Sequence, residues 1–479
     1  MRKKFSLNLL FLMGLNLLIK PLYIFGIDIK VQNTVGTAEY GLFFSIFSFT
    51  LIFQIILEWG LNNMVRRDIA ESPSLAAKYL SQLLSFKLFL LPFYLLLTIL
   101  LGWVIGYDAH KMIFLAYAMA IQVGLSFLLF TRAVLAGYGA YRVDSLLSVI
   151  DKTVMIALCG WWLYFADNSI FTIITFLNIY CLSIGIALCI GLLYSILLIG
   201  NLKIRFDRVH FIVFARKAFP YALITFLMTI YGRMDSVYLE RFLPQGDYQA
   251  GIYAAGFRLL DAYLIFAILF ANLALPMMTS MKDRWSDKFN FFKYILQLVM
   301  VPSVLVGAAG WTYRAEISAL LYHHNEAIWS DTIGILLATC IPLGLSIITG
   351  TGILSSGSLR RINILYSICI PLNMLFNLLL IPTYLSAGAA TSAFIINLLI
   401  GMAQYAFFFK VYQTKIEWDL LLKLIGLSVV AFIIFNFTNT SLIDINWLFK
   451  IAISAAGVLV ISVFMGLLPV RSVVNYFSK

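Results

Sequence analysis

The sequence predicts an all-helical polytopic membrane protein of about 14 transmembrane helices, and three observations carry that prediction. Of the 479 residues, 62% are hydrophobic and only 12% are charged, with a mean hydropathy of +0.95. A soluble domain carries about 25% charged residues, so a water-facing fold of this length would lack the polar surface to cover itself. The apolar residues also fall into successive runs of about 20, the length that crosses a bilayer as a helix. These runs centre near residues 18, 50, 92, 123, 156, 184, 229, 263, 303, 343, 372, 398, 430 and 457. Finally, lysines and arginines alternate between the joins. With a cytoplasmic N-terminus, 26 of the 34 fall in inner segments and 5 in outer ones, leaving Lys20, Arg233 and Arg258 inside spans. Miscounting by one helix would reverse every later loop and destroy the asymmetry, so an even number of spans with both termini cytoplasmic is expected.

Several function classes are excluded at this level. The start, Met1-Arg-Lys-Lys before an apolar run, has the outline of a leader, but no small-residue cleavage site follows; it reads as a first membrane helix. Cys159, Cys181, Cys189, Cys340 and Cys369 all lie in apolar stretches and read as small buried hydrophobes, not as a disulfide or zinc framework. The net charge of +12 is dispersed in short clusters between spans, which is topology information and not a nucleic-acid surface. No P-loop, dinucleotide fingerprint, zincin motif or nucleophile elbow is present. His323-His324-Asn325-Glu326 is a metal-like group, but its loop setting favours plain solvation. No cofactor is expected, and the short joins leave little room for a soluble catalytic domain.

The chain also resembles itself. GLSFLLFTRAVLAGYGAYRVDSLLS from Gly124 is similar to GLSIITGTGILSSGSLRRINILYS from Gly344, pairing Thr131 with Thr351, Gly137 with Gly357 and Arg142 with Arg361. A fainter echo joins Tyr40–Phe47 to Ala250–Phe257. The copies lie six helices apart, an even number, so they share orientation and predict two parallel six-helix lobes. The expected organisation is a lobe over 1–200, a basic cytoplasmic linker over 201–217, a second lobe over 218–412, and two additional helices with a tail over 413–479.

Ionisable residues inside spans are the informative ones, because a charge at the bilayer centre costs about 2.5–3.5 kcal/mol on insertion scales and normally faces a cavity or a partner. Lys20 sits one turn beyond Asn16 and before Pro21, whose ring frees a backbone carbonyl. It reads as a cavity residue or as a lysine snorkelling from a helix end. Gln54, Glu58, Asn62 and Arg66 recur every four residues, a polar stripe on one face of span 2. Arg66 is also in place as an ordinary inner-loop charge. Span 7 carries Thr225, Thr229, Arg233 and Asp235; span 8 carries Arg258 and Asp261, three apart on one face. These read as cavity cations held by aspartates, or as a structural salt-bridge cluster. Asp144 and Asp151, aligned with Ser148 in span 5, are candidate coupling-ion residues, with capping or pairing as the alternative. A cavity lined by Lys20, Arg66, Arg233 and Arg258 would attract an anion, and guanidinium suits phosphate oxygens. An anionic lipid head group follows as the expected cargo.

At this point the sequence resembles the bacterial polysaccharide (O-antigen type) flippases of the multidrug/oligosaccharidyl-lipid/polysaccharide exporter superfamily. The resemblance rests on EYGLFFSIFSFTLIFQIILEWGLNNMVRRDIAE, on YGRMDSVYLERF with AGIYAAGFRLLDAYLIFAILFANLALPMM, and on LNMLFNLLLIPTYLSAGAATS with Asn373, Asn377, Pro382 and Gly388–Ala390. It implies a V-shaped alternating-access transporter that moves an undecaprenyl-pyrophosphate-linked oligosaccharide to the outer leaflet of the inner membrane. The implied substrate-binding positions are Lys20, Arg66, Arg233 and Arg258. Asn16, Gln54, Glu58, Asn62, Thr229, Asp235 and Asp261 form the supporting polar network. The Lys20-Pro21 pair departs from the apolar residues common there. The expected partners are the lipid-linked oligosaccharide and membrane lipids, with a polysaccharide polymerase as a candidate protein partner and no nucleic acid. Two other readings compete: a cation-coupled multidrug exporter of the same superfamily, and a membrane enzyme acting on lipid-linked sugars.

Overall fold

The computed structural model describes residues 2–166, 170–200, 208–281, 285–324, 326–442 and 445–468. Among these residues every regular element is helical. The order is α1 (Arg2–Tyr23), a π-helix (Ile24–Asp28), α2 (Ile29–Val35), α3 (Thr37–Phe53), α4 (Ile55–Glu58), α5 (Leu61–Glu71) and α6 (Ala76–Ile105). Then follow α7 (Ala109–Gly137), α8 (Tyr141–Leu147), α9 (Ile150–Tyr164), α10 (Ile173–Ile199), α11 (Arg208–Phe242) and α12 (Gly246–Ser280). The chain continues with α13 (Trp285–Thr312), α14 (Arg314–Tyr322), α15 (Ala327–Ala338), α16 (Cys340–Leu354), α17 (Leu359–Val411), α18 (Trp418–Ser441) and α19 (Trp447–Phe464).

Helices are what a lipid solvent allows, since each backbone N–H and C=O must be satisfied within the segment. Among the described residues, twelve helical segments are long and apolar enough to cross a membrane. One of them, α17, is two helices joined at Leu385, whose φ of 54° and ψ of −131° are not helical. The 35-residue α11 stands where the seventh span is expected. Each of the fourteen apolar runs therefore has its helix.

Two compact units emerge, residues 1–251 and 252–479. In the first, the segment Thr37–Glu58 is the most enclosed, with 72% of its apolar window buried, against 22% for α6. Its close packing is written in glycine: a Cβ on Gly41 would lie 2.0 Å from the Asp247 carbonyl oxygen and 2.3 Å from the Gly251 nitrogen. Gly41 and Gly251 are equivalent in the faint sequence echo, and here they meet backbone to backbone. In the second unit, Ala327–Leu354 is again 72% buried. A stack of Phe292 on Phe408, 3.9 Å apart, ties α13 to α17, and the Thr438 and Ser454 hydroxyls join α18 to α19 at 2.5 Å.

The structure corrects four details. The stronger repeat has a different register at its turn: the residues at positive φ are Gly139 (93°) and Gly357 (78°), followed by Ala140 (φ −81°, ψ 51°) and Ser358 (φ −80°, ψ 61°). Gly357 thus answers to Gly139 and not to Gly137. The polar stripe of span 2 is not one helical face, because Trp59 (φ 42°) and Gly60 (φ 68°) break the helix between Glu58 and Asn62. Lys87 and Lys152, counted with the inner segments, lie within α6 and α9. Cys189 is exposed, unlike buried Cys159, Cys340 and Cys369, and all five cysteines are unpaired. Residues 201–207 of the expected linker, Asn325, and the tail from 469 lie outside the described residues; by Arg208 the chain is already helical.

Candidate functional site

The site is built outward from Lys20 on α1. One turn earlier, buried Asn16 donates to the Ser148 hydroxyl at 2.9 Å and to the Leu12 carbonyl at 2.8 Å, pinning α1 against the joint between α8 and α9. After Pro21 the chain widens into the π-helix, a form that is rare and common at functional sites. Lys20 is half-buried and has no hydrogen-bond or ion-pair partner among the described residues. It lies within electrostatic reach of Arg132, Asp151 and Lys152.

Its neighbours are paired. Arg132 on α7 donates through Nε to Asp144 Oδ1 at 2.8 Å, and Asp144 is 7% exposed. Lys152 Nζ is 3.5 Å from Asp151 Oδ2, donates to the Tyr180 hydroxyl at 3.1 Å, and sits over the rings of Tyr180 (4.4 Å) and Tyr23 (4.6 Å). Asp28, at the end of the π-helix, accepts from Tyr23 at 3.1 Å and Tyr40 at 2.8 Å. Three cations thus meet three carboxylates. The carboxylates are buried and committed, while Lys20 and Arg132 keep partial access.

Two further ionic groups belong to this unit. Lys87, fully buried on α6, donates to the Ser126 carbonyl (3.0 Å) and hydroxyl (2.6 Å) and lies 4.0 Å from Glu58 Oε1. Glu58 also accepts from Asn62 across the helix break. At the end of the unit expected to face outward, the Glu240 carboxylate is enclosed by Lys111 (2.5 Å) and Arg241 (2.8 Å), with Asp247 3.7 Å from Lys111. Arg241 lies 4.3 Å from the ring centre of Tyr107. Burial pushes the Tyr107 phenol well above its ordinary range, Glu240 adds to the rise, and Arg241 opposes it.

The other expected residues are placed as follows. Gln54 is buried and donates to the Gln122 carbonyl at 3.4 Å. Arg66 is exposed on α5. On α11, Thr229 donates to the Thr225 carbonyl at 2.8 Å, Asp235 is 2% exposed, and Arg233 is half-buried. In the second unit, Arg258 and Asp261 form the expected pair on one helix face at 3.4 Å. Asp144 and Asp151, the coupling-ion candidates, are both held in ion pairs. Among the described residues no group of three His, Cys, Asp or Glu side chains is arranged for a metal, and His324 instead stacks on Trp329 at 4.1 Å.

Sequence reading missed Asp28, Lys87, Arg132 and Glu240 as site elements. Lys87 had a signal in length: α6 runs 30 residues, about 45 Å at 1.5 Å per residue, and Lys87 lies well inside it. Asp28 and Glu240 stood at expected span ends, where a charge needs no explanation.

Similar solved structures include the lipid II flippase MurJ in an inward closed conformation, with a TM-score of 0.69 at 15% identity, covering 96% of this chain and 98% of that one. An inward-facing multidrug resistance MATE family transporter of the MOP superfamily follows, with a TM-score of 0.63 at 13% identity over 84% and 99% of the two chains. A MOP superfamily transporter from Pyrococcus furiosus matches with a TM-score of 0.61 at 15% identity over 85% and 95%. The chain therefore shares the fold of these transporters, that of a multi-pass helical membrane protein. The family model described as "Polysaccharide biosynthesis protein" matches residues 7–282, more than half the chain, and the chain belongs to that family. No curated protein matches it significantly by sequence.

Proposed function

We propose that this protein is a flippase that carries an undecaprenyl-pyrophosphate-linked oligosaccharide, an O-antigen, capsule or exopolysaccharide repeat unit, from the inner to the outer leaflet of the bacterial inner membrane. One observation carries the reading. Lys20 is an ammonium in a membrane-spanning helix with no counter-ion of its own, beside Arg132, whose guanidinium spends its Nε on Asp144. A cation in such a position normally has a partner or a cavity. A phosphate group supplies the missing partner, and arginine can bind its oxygens in pairs. Arg66, Arg233 and Arg258 are further cations for the same head group. Family membership supports a polysaccharide cargo, and the loop charges support an orientation with both termini cytoplasmic. Movement of the two repeat-related lobes, 1–200 and 218–412, provides alternating access, with the helices after 413 as additional lipid-facing elements.

The test is a set of variants expressed in a glycan-producing strain that depends on this chain. Lys20→Ala and Arg258→Ala should each lower surface glycan about tenfold or more, the value of one lost charge-assisted hydrogen bond, with lipid-linked precursor accumulating and membrane levels unchanged. Lys20→Arg should retain export. Normal surface glycan in both alanine variants overturns the site; resistance to cationic dyes with unaffected glycan overturns the cargo.

A further inference from the structure

We propose that Lys111, Glu240 and Arg241 form an ionic clasp that holds the outward end of the first unit closed, and that delivery of cargo to the outer leaflet requires this clasp to open. The proposal rests on the transport reading for the cargo and on the loop charges for the outward direction.

The starting point is a mismatch between repeat and packing. α11 opens the second copy of the repeat, the expected lobe 218–412, yet α11 and the first turns of α12 fall within the compact unit 1–251. They are fastened there at two levels. One level is neutral: the Ser45 hydroxyl on α3 donates to the Ser236 carbonyl at 3.0 Å, and Gln32 on α2 donates to the Gly251 carbonyl at 2.9 Å. The other, one helical turn outward of Ser236, is charged.

Both sides of the charged level are rigid. Glu240, Arg241 and Asp247 share one hairpin tip whose turn is tight, since a Cβ on Gly246 would lie 2.4 Å from the Glu240 carbonyl oxygen and 2.5 Å from that of Leu239. The tip therefore moves as one piece. On the receiving side, Asp108 caps α7 by accepting from the Lys111 backbone N–H at 2.8 Å, and the Tyr107 ring meets Phe49 edge-on at 5.8 Å. Between the two sides Lys111 reaches Glu240 at 2.5 Å and Asp247 at 3.7 Å, while Arg241 lies 2.8 Å from Glu240 and over the Tyr107 ring. Two cations face two carboxylates, so the closed clasp is neutral.

Incomplete bonding separates this cluster from a purely structural one. Arg241 Nε and Nη2, Glu240 Oε2 and Asp247 Oδ1 are enclosed, and none has an aligned hydrogen-bond partner among the described residues. Partly satisfied polar groups are costly in an enclosed site, and charges taken out of water recover their hydration when exposed again. Opening therefore exchanges attraction within the clasp for hydration of these four atoms. The open and closed states are thereby brought close in free energy, as a gate that works in every cycle requires. A fully bonded cluster or an apolar seam would favour closure alone.

The experiment has two arms, both in the full-length chain. In the first, Ser45→Cys is the only cysteine, buried against Ser236 one turn inward of Glu240, and spheroplasts are treated with a membrane-impermeant maleimide. Glu240→Gln and Lys111→Met should each speed its labelling about tenfold or more, the value of a lost charge-assisted hydrogen bond, whereas Lys111→Arg should keep the slow rate. A chain retaining only Cys340, fully buried in the second unit, should stay unlabelled in Glu240→Gln. Unchanged Ser45→Cys labelling in both variants overturns the proposal, as does labelling of Cys340, which would report loosening of the whole chain. In the second arm, Lys111→Cys/Glu240→Cys is joined by a short reducible bifunctional thiol reagent. Surface glycan should stop appearing and resume on reduction. Continued export with the linker in place, where Lys20→Ala is impaired, overturns the clasp. Normal glycan in Lys20→Ala as well would instead overturn the cargo reading and leave the labelling result standing.

Discussion

The two units treat polar groups in their interiors differently. The first buries five carboxylates, Asp28, Asp144, Asp151, Asp235 and Glu240, each at most 7% exposed. The second, among the described residues, buries none. Its interior is held by neutral groups. The Gln404 side-chain carbonyl accepts from Ser346 at 3.1 Å and Thr349 at 3.3 Å, while its amide donates to Tyr366 at 3.0 Å. Thr332 meets Ser386 at 2.9 Å, and Asn377 donates to the Asn373 carbonyl at 2.9 Å. The two buried lysines of the second unit, Lys288 and Lys450, donate to the Tyr412 hydroxyl and the Asn439 carbonyl, not to acids. A hydrogen-bonded neutral network holds a core without responding to pH or to a passing charge. Ion pairs in a low-dielectric interior do respond. The contrast assigns a responsive role to the first unit and a framework role to the second.

The sharpest way to break that contrast is to unbalance a pair. Lys87→Met alone leaves the partly exposed Glu58 beside no counter-charge, a change worth about 1–3 kcal/mol of destabilisation. It should appear as a marked drop in Tm in detergent, and the paired variant Glu58→Gln/Lys87→Met should recover most of it, because neutral groups of similar volume replace buried ion pairs at little cost. In the second unit, Gln404→Leu strands the partners of one neutral amide and should cost about 1–3 kcal/mol. Failure of the paired variant to recover the Lys87→Met loss would erase the distinction between the two interiors.

Much of the fold was legible because the bilayer imposes it. Apolar length located every span, including the two halves of α17. Local backbone events were not legible. The break at Trp59–Gly60 replaced a smooth polar stripe with two helices, since no propensity rule places tryptophan in a left-handed conformation. The turn register of the repeat shifted by two residues because glycines stand at both 137 and 139. At the site, single charges inside apolar runs such as Lys20, and the Arg258–Asp261 spacing, could be read directly. Pairings such as Arg132–Asp144 and Lys152–Tyr180 could not, as they depend on which helices become neighbours. Charges near span ends were the hardest, since positive-inside topology explains Lys87 and Arg132 without asking where the side chains point.

The smallest effect is the control for the whole comparison. Lys423 and Asp419 on α18 form an exposed i, i+4 pair at 2.7 Å, with side chains 42% and 67% exposed. Its distance is shorter than that of the Glu58–Lys87 contact, whose lysine is fully buried, so proximity alone would rank it as the stronger pair. Solvent reverses that order: water screens both charges and hydrates either one when its partner is removed. Asp419→Asn should therefore cost only about 0.3–0.5 kcal/mol, a shift in Tm near the limit of detection that shrinks further as salt is raised. The Lys87→Met loss, taken at the same two salt concentrations, should stay constant because ions do not reach a fully enclosed ammonium. Equal salt sensitivity at the two sites would mean that water enters the first unit as far as Lys87, and the responsive interior would then be a solvated cleft and not a buried ion pair.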